Sequence, residues 1–143
     1  MTFLLDVNVL IALIDPVHVG HEIAHGWFER EGRARWATCP ITENGVVRIV
    51  GNGRYPNTPG TPSIVAEVLQ RFTRQNGHVF WPDDISLLDP DRFDTERMLT
   101  HKHLTDTYLL ALALAHNGRL ATMDRHMSSA AVRSARNGIH LIQ

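Results

Sequence analysis

The stretch Phe3-Leu4-Leu5-Asp6-Val7-Asn8-Val9-Leu10-Ile11-Ala12-Leu13 decides the fold. An apolar run meets one carboxylate and then continues as an apolar segment with helical potential. A short leucine-rich run of this kind is predicted to be a buried strand, with Asp6 where the strand ends. Charged side chains rarely enter a fold unless they are paired or bound to a metal. In open parallel α/β sheets, ligands bind outside the carboxyl ends of the strands. An Asp at this point also suits the cap of the following helix, so Asp6 alone does not define a site. What matters is whether other acidic groups return to the same edge.

Outward from that stretch, strand and helix patterns alternate. Residues 7–14 read as a short helix stopped at Asp15-Pro16, and 18–31 as a second, with Ile23, Ala24, Trp27 and Phe28 at helical spacing. Residues 35–39 read as a strand, and Pro40 opens a helix with Val46, Val47 and Val50 on one side. Residues 51–61 are loop. Thr61-Pro62 starts a helix running to Gly77, with Ile64, Val65, Val68, Leu69 and Phe72 inward. A third strand is expected at 79–81, then an Asp-rich loop (Asp83, Asp84, Asp89, Asp91, Asp94) and a weak helix over 94–100. Residues 104–116 form a nearly all-apolar and hence buried helix. A strand over 119–122, a helix over 124–136 and a strand over 139–142 complete the chain. Such alternation predicts a parallel sheet covered on both faces, in one domain spanning 1–143.

In such a sheet the strand carboxyl ends and the helix amino ends share one edge. Asp6 follows the first strand and Asp124 the fourth, while Glu43 and Asp106 sit in first helical turns, so all four are expected at that edge. A first-turn acid is favoured by the helix dipole alone, but Asp106 opens a helix that is otherwise apolar. Two carboxylates about 4 Å apart repel by roughly 4 kcal/mol at an effective dielectric near 20. A cluster therefore takes up protons or holds a cation, and all-oxygen ligands suit Mg²⁺ or Mn²⁺. Carboxylate-held Mg²⁺ activates water and clamps phosphoryl oxygens, which points to phosphodiester hydrolysis.

The totals neither add to nor oppose this. Fourteen Lys and Arg balance fifteen Asp and Glu, which gives no net basic signal for nucleic acid; Lys102 is the sole lysine. A single cysteine, Cys39, excludes an internal disulfide and fits a reducing compartment. With no leader pattern and no apolar run of membrane-spanning length, a cytoplasmic protein is expected.

The segments LLDVNVLIAL (4–13), Asp-Pro-x-His (15–18), CPITENGVVRI (39–49), LTDTYLLALA (104–113) and GRLATMD (118–124) together resemble a PIN-domain ribonuclease of the VapC toxin type, over nearly the whole chain. The resemblance implies a three-layer α/β fold, with a twisted, mainly parallel sheet of about five strands and helices on both faces. It also implies Mg²⁺ or Mn²⁺ dependence, an RNA substrate, a homodimer and a cognate VapB-like antitoxin whose tail occupies the acidic groove. Asp6 and Asp106 would bind the principal metal, directly or through water, with Glu43 and Asp124 completing the cluster. One of the four would orient or deprotonate the attacking water. Asn8 and Thr122 match small polar positions that would support the carboxylates. Arg48, Arg54 and Lys102 are candidates for contact with RNA phosphate, with Tyr55 as a stacking partner.

Three rival readings exist. His21-Glu22-Ile23-Ala24-His25 is a literal H-E-x-x-H on a predicted helix, the zinc metalloprotease signature, and His18 is a candidate third ligand. Against it, the same helix packs through Ile23, Ala24, Trp27 and Phe28. Asp6-Val7-Asn8 is similar to the Asp-x-Asp of haloacid dehalogenase-type phosphatases, but Asn8 cannot serve as that scheme's acid. A PIN fold kept as an RNA-binding module without turnover is the third.

Overall fold

Five short strands form one sheet in the computed structural model, which describes residues 1–143. They are β1 (Phe3–Leu5), β2 (Trp36–Thr38), β3 (His78–Phe80), β4 (Arg119–Thr122) and β5 (Ile139–Leu141). Their spatial order is β3-β2-β1-β4-β5, and every neighbouring pair is parallel. Helices α1 (Val7–Ile14) and α2 (His21–Arg30) connect β1 to β2. Between β2 and β3 lie α3 (Pro40–Val50) and α4 (Pro62–Thr73), and α5 (Leu104–Ala115) leads into β4.

Strand alternation sorts the core into two layers. Phe3, Leu5 and Trp36 join a cluster with Val9, Trp27, Phe28, Val46, Val65 and Leu69, from the first four helices. Leu4, Ala37 and Leu120 face the other way, onto Leu109, Leu110 and Leu112 of α5. One helix cannot cover a face that four helices cover on the opposite side. Loop segments fill the remainder, with Phe93 and Val132 buried against α5.

That imbalance explains the largest departure from expectation, since residues 124–136 form turns and no helix. The Asp94 amide donates to the Ala131 carbonyl, the Arg133 amide to Arg92 and the Arg133 Nε to Pro90. Asp124 and Ser128 side chains take nearby amides at His126 and Ala130, a local bonding that competes with a helix. The weak helix over 94–100 is a single 3-10 turn at Thr95–Arg97. The fourth helix stops at Thr73, short of Gly77, whose positive φ of 91° and close approach to the Arg33 carbonyl leave no room for a Cβ. Ile23 and Ile64 are exposed where inward positions were expected, and β3 begins one residue early as a half-exposed edge strand. The loop over 51–61 is tied to the end of α1 through buried Asp15. Its carboxylate accepts from the Tyr55 hydroxyl, from Asn57 Nδ2 at 3.1 Å and from the Val17 amide at 3.0 Å. No helix is long and apolar enough to cross a membrane.

The two layers set unequal sensitivities. Leu110→Ala, at a fully buried position, is expected to cost about 2–5 kcal/mol in urea unfolding. Val79→Ala on the exposed edge strand is expected to change stability by less than about 1 kcal/mol.

Candidate active site

The chain runs outward from β1 through β2 to β3, then returns to the other side of β1 as β4. Connections leaving the sheet in opposite directions open a crevice between the carboxyl ends of β1 and β4. Asp6 stands there. Its carboxyl is buried, and its amide donates to the Ala121 carbonyl, which continues the β1–β4 ladder past the strand end. The Thr122 hydroxyl donates to Asp6 Oδ2 at 3.0 Å and accepts the Asp124 amide at 3.0 Å. One threonine at the end of β4 therefore fixes the Asp6 side chain and the turn that carries Asp124.

Asp106 enters from the first turn of α5, half-buried, and makes no hydrogen bond through its carboxylate. Burial, reinforced by the Asp106 charge, pushes Asp6 up to about 6 against the opposing bond from Thr122. Burial and the Asp124 charge raise Asp106 as well. None of the three carboxylates is in an ion pair. The site is thus a negative cluster without an ion pair, and Asp6 and Asp106 line an open cavity of about 540 Å³ together with Asn8, Arg48 and Asp83.

Glu43 is placed differently. Its Oε2 accepts from the Thr38 hydroxyl at 2.7 Å, and its side chain borders a groove between α3 and α4. Thr38 shares a strand face with Trp36, on the four-helix side, whereas Thr122 shares a face with Leu120, on the α5 side. The hydroxyls that anchor Glu43 and Asp6 therefore lie on opposite faces of the sheet. Asn8 lines the cavity without bonding a carboxylate, and Arg48 lies on its wall; Arg54 and Lys102 are exposed and do not line it.

Two features escaped the sequence reading. Asp83, just past β3, lines the same cavity, and its carboxylate is turned inward beside the Cys39 thiol and the Ile41 amide. Its position after a strand end is the signal that singled out Asp6, but five aspartates in one loop hid it. The other is Thr38, a threonine ending a strand, which gives no signal of its own.

The donor set suits a hard divalent cation, since Asp6 and Asp106 offer carboxylate oxygens with no base in ion-pair contact. No three acidic, His or Cys side chains close on a common point. An ion that keeps several waters, as Mg²⁺ does, needs only one or two of these carboxylates, whereas zinc needs three protein ligands at about 2.0–2.3 Å. The metalloprotease reading of His21, Glu22 and His25 falls on that ground. His21 Nδ1 lies 2.7 Å from the Ala12 carbonyl, and His18 Nδ1 accepts the Gly20 amide.

A family model for the PIN domain matches residues 3–133, and the chain belongs to the PIN-domain family, in its VapC branch. Ribonuclease VapC44 of Mycobacterium tuberculosis H37Rv is 44% identical over 135 residues, 94% of each chain. Ribonuclease VapC39 of the same organism is 44% identical over 131 residues, covering 92% of this chain and 94% of the relative. The crystal structure of VapBC2 from Rickettsia felis bound to a DNA fragment from its promoter has the same fold. It matches with a TM-score of 0.56 at 12% identity, over 88% of this chain and 90% of the other.

The buried Asp6 charge carries a pH signature. A carboxyl raised from 3.8 to about 6 in the folded state binds a proton that the unfolded chain has released. Metal-free stability therefore falls as pH rises through that window. Asp6→Asn is expected to stabilise the metal-free protein by about 2–3 kcal/mol above pH 7, with the gain shrinking toward pH 4. Thermal melts in chelator across pH 4–8 check this.

Proposed function

We propose that the chain is a metal-dependent endoribonuclease, acting as one nuclease domain over residues 1–143 and as the toxin of a toxin–antitoxin pair. The observation that carries the reading is the buried Asp6 carboxylate, free of any ion pair, coupled to Asp106 and Asp124 and lining an open cavity with Asp106. The relatives named ribonuclease VapC, matched along almost their full length, support the same substrate class.

Asp6 and Asp106 would hold an Mg²⁺ or Mn²⁺ ion, with Asp124 beside them. When bound, such an ion supplies charge neutralisation at a phosphoryl group and a more acidic water. Thr122 keeps Asp6 in one orientation, and a fixed carboxylate loses no freedom when the substrate arrives. Arg48 on the cavity wall suits a phosphate oxygen of the bound strand. Glu43 borders the adjoining groove, which shares Pro40 and Asn44 with the cavity, and would join the acidic set from that side. A carboxylate of this set takes the proton of the attacking water, and in-line displacement leaves a 5′-phosphate and a 3′-hydroxyl. A VapB-like antitoxin with a basic tail would cover the acidic opening by charge complementarity, and the working form would be a homodimer.

Asp6→Asn and Asp106→Asn are each expected to lower Mg²⁺- or Mn²⁺-dependent RNA cleavage by about 100-fold or more, with the circular dichroism spectrum unchanged. Wild-type cleavage in both variants would overturn the assignment. A purified wild-type chain that binds RNA but never cuts it would identify a binding module instead.

A further inference from the structure

Glu43, Thr38 and His78 come from α3, β2 and β3 and form one hydrogen-bonded line. Thr38 Oγ1 lies 2.7 Å from Glu43 Oε2 and 2.8 Å from His78 Nε2. A carboxylate only accepts, so the single hydroxyl hydrogen of Thr38 goes to Glu43. His78 Nε2 must then carry a hydrogen and donate it to Thr38 Oγ1. Burial pushes His78 down, against the Glu43 charge, and a neutral imidazole has one N–H. The line therefore fixes the tautomer as well as the ring. The ring itself is held against Trp36, with centroids 4.6 Å apart.

A purely structural role does not account for these residues. β2 and β3 are already joined by their backbone ladder, and a first-turn glutamate is stabilised by the helix dipole without any tie. Thr38 is fully buried, where an unpaired hydroxyl is costly and a β-branched apolar residue suits a strand equally well. What the hydroxyl adds is a link between the imidazole and the carboxylate.

We propose that His78 is a positioning residue for the phosphodiester hydrolysis, orienting the Glu43 carboxylate through the Thr38 hydroxyl. The inference rests on the nuclease reading, in which Glu43 belongs to the acidic set. Partners of this outlying kind are worth about 10- to 100-fold in activity.

The test combines kinetics with a measurement that needs no metal. In long-range ¹H–¹⁵N spectra of the metal-free full chain, His78 is expected as the Nε2–H tautomer; an Nδ1–H tautomer overturns the proposal. In RNA cleavage, Thr38→Val and His78→Phe are each expected to lower kcat by about 10-fold or more, with KM little changed. Thr38→Ser should recover most of the loss seen in Thr38→Val. In a Glu43→Gln background neither change should lower kcat further. Multiplying losses, or wild-type kcat in Thr38→Val while Glu43→Gln is impaired, overturns the proposal. Full cleavage by Asp6→Asn and Asp106→Asn would sink the nuclease reading instead, and the tautomer would then decide the His78–Thr38–Glu43 line by itself.

Discussion

The hydrogen bond from Thr122 to Asp6 joins positions 116 residues apart in sequence, and the site depends on it. A carboxylate taken out of water loses several kcal/mol of hydration unless something replaces it. Here the replacement is one hydroxyl and the amide-lined end of a strand. The same hydroxyl accepts the Asp124 amide, so it sets two acidic groups at once. The strand ladder beneath makes this rigid, because β1 and β4 are paired along their length up to the residues that carry the acidic groups.

Topology explains why the opening exists at all. Strands added successively on one side of β1, and then on the other, send their connections to opposite faces. Four helices close one face and α5 closes the other, leaving the junction at the carboxyl ends of β1 and β2 without a lid. The first turn of α5 reaches that junction with Asp106, whose helix is buried through its middle and cannot shift to relieve the repulsion. Close packing of the two cores thus holds the charges together.

Sequence patterns carried the sheet, the order of elements and the edge at which acidic groups gather, because strand ends and helix starts follow from local apolar runs and breakers. They could not say which face of that edge each side chain takes. Glu43 and Asp106 look alike in sequence, each an acid in a first helical turn. The structure separates them, because Glu43 meets a threonine on the four-helix side and Asp106 points toward the α5-side cluster. The failed helix over 124–136 has the same origin. Its sequence has helical potential, but the bare part of the α5 face recruits Val132 and pairs the segment with residues 89–94. Asp83 was lost among neighbouring aspartates, since composition does not tell which of five carboxylates turns inward.

The cavity also bears on stability. Asp6, Asp83 and Asp106 are all raised by burial, so the protein with nothing bound carries groups that would be better solvated in the unfolded chain. Natural folds keep such strain at functional sites and compensate it elsewhere, here through two well-filled apolar layers. Anything positive that enters the cavity relieves the strain and stabilises the folded state by mass action. A divalent ion does so with point charge, and a basic peptide does so with a guanidinium or ammonium group. The two should compete, because each satisfies the same carboxylates. A nuclease held inactive by a basic tail would need no conformational change for its inhibition, only an occupant that supplies the missing charge without supplying the water.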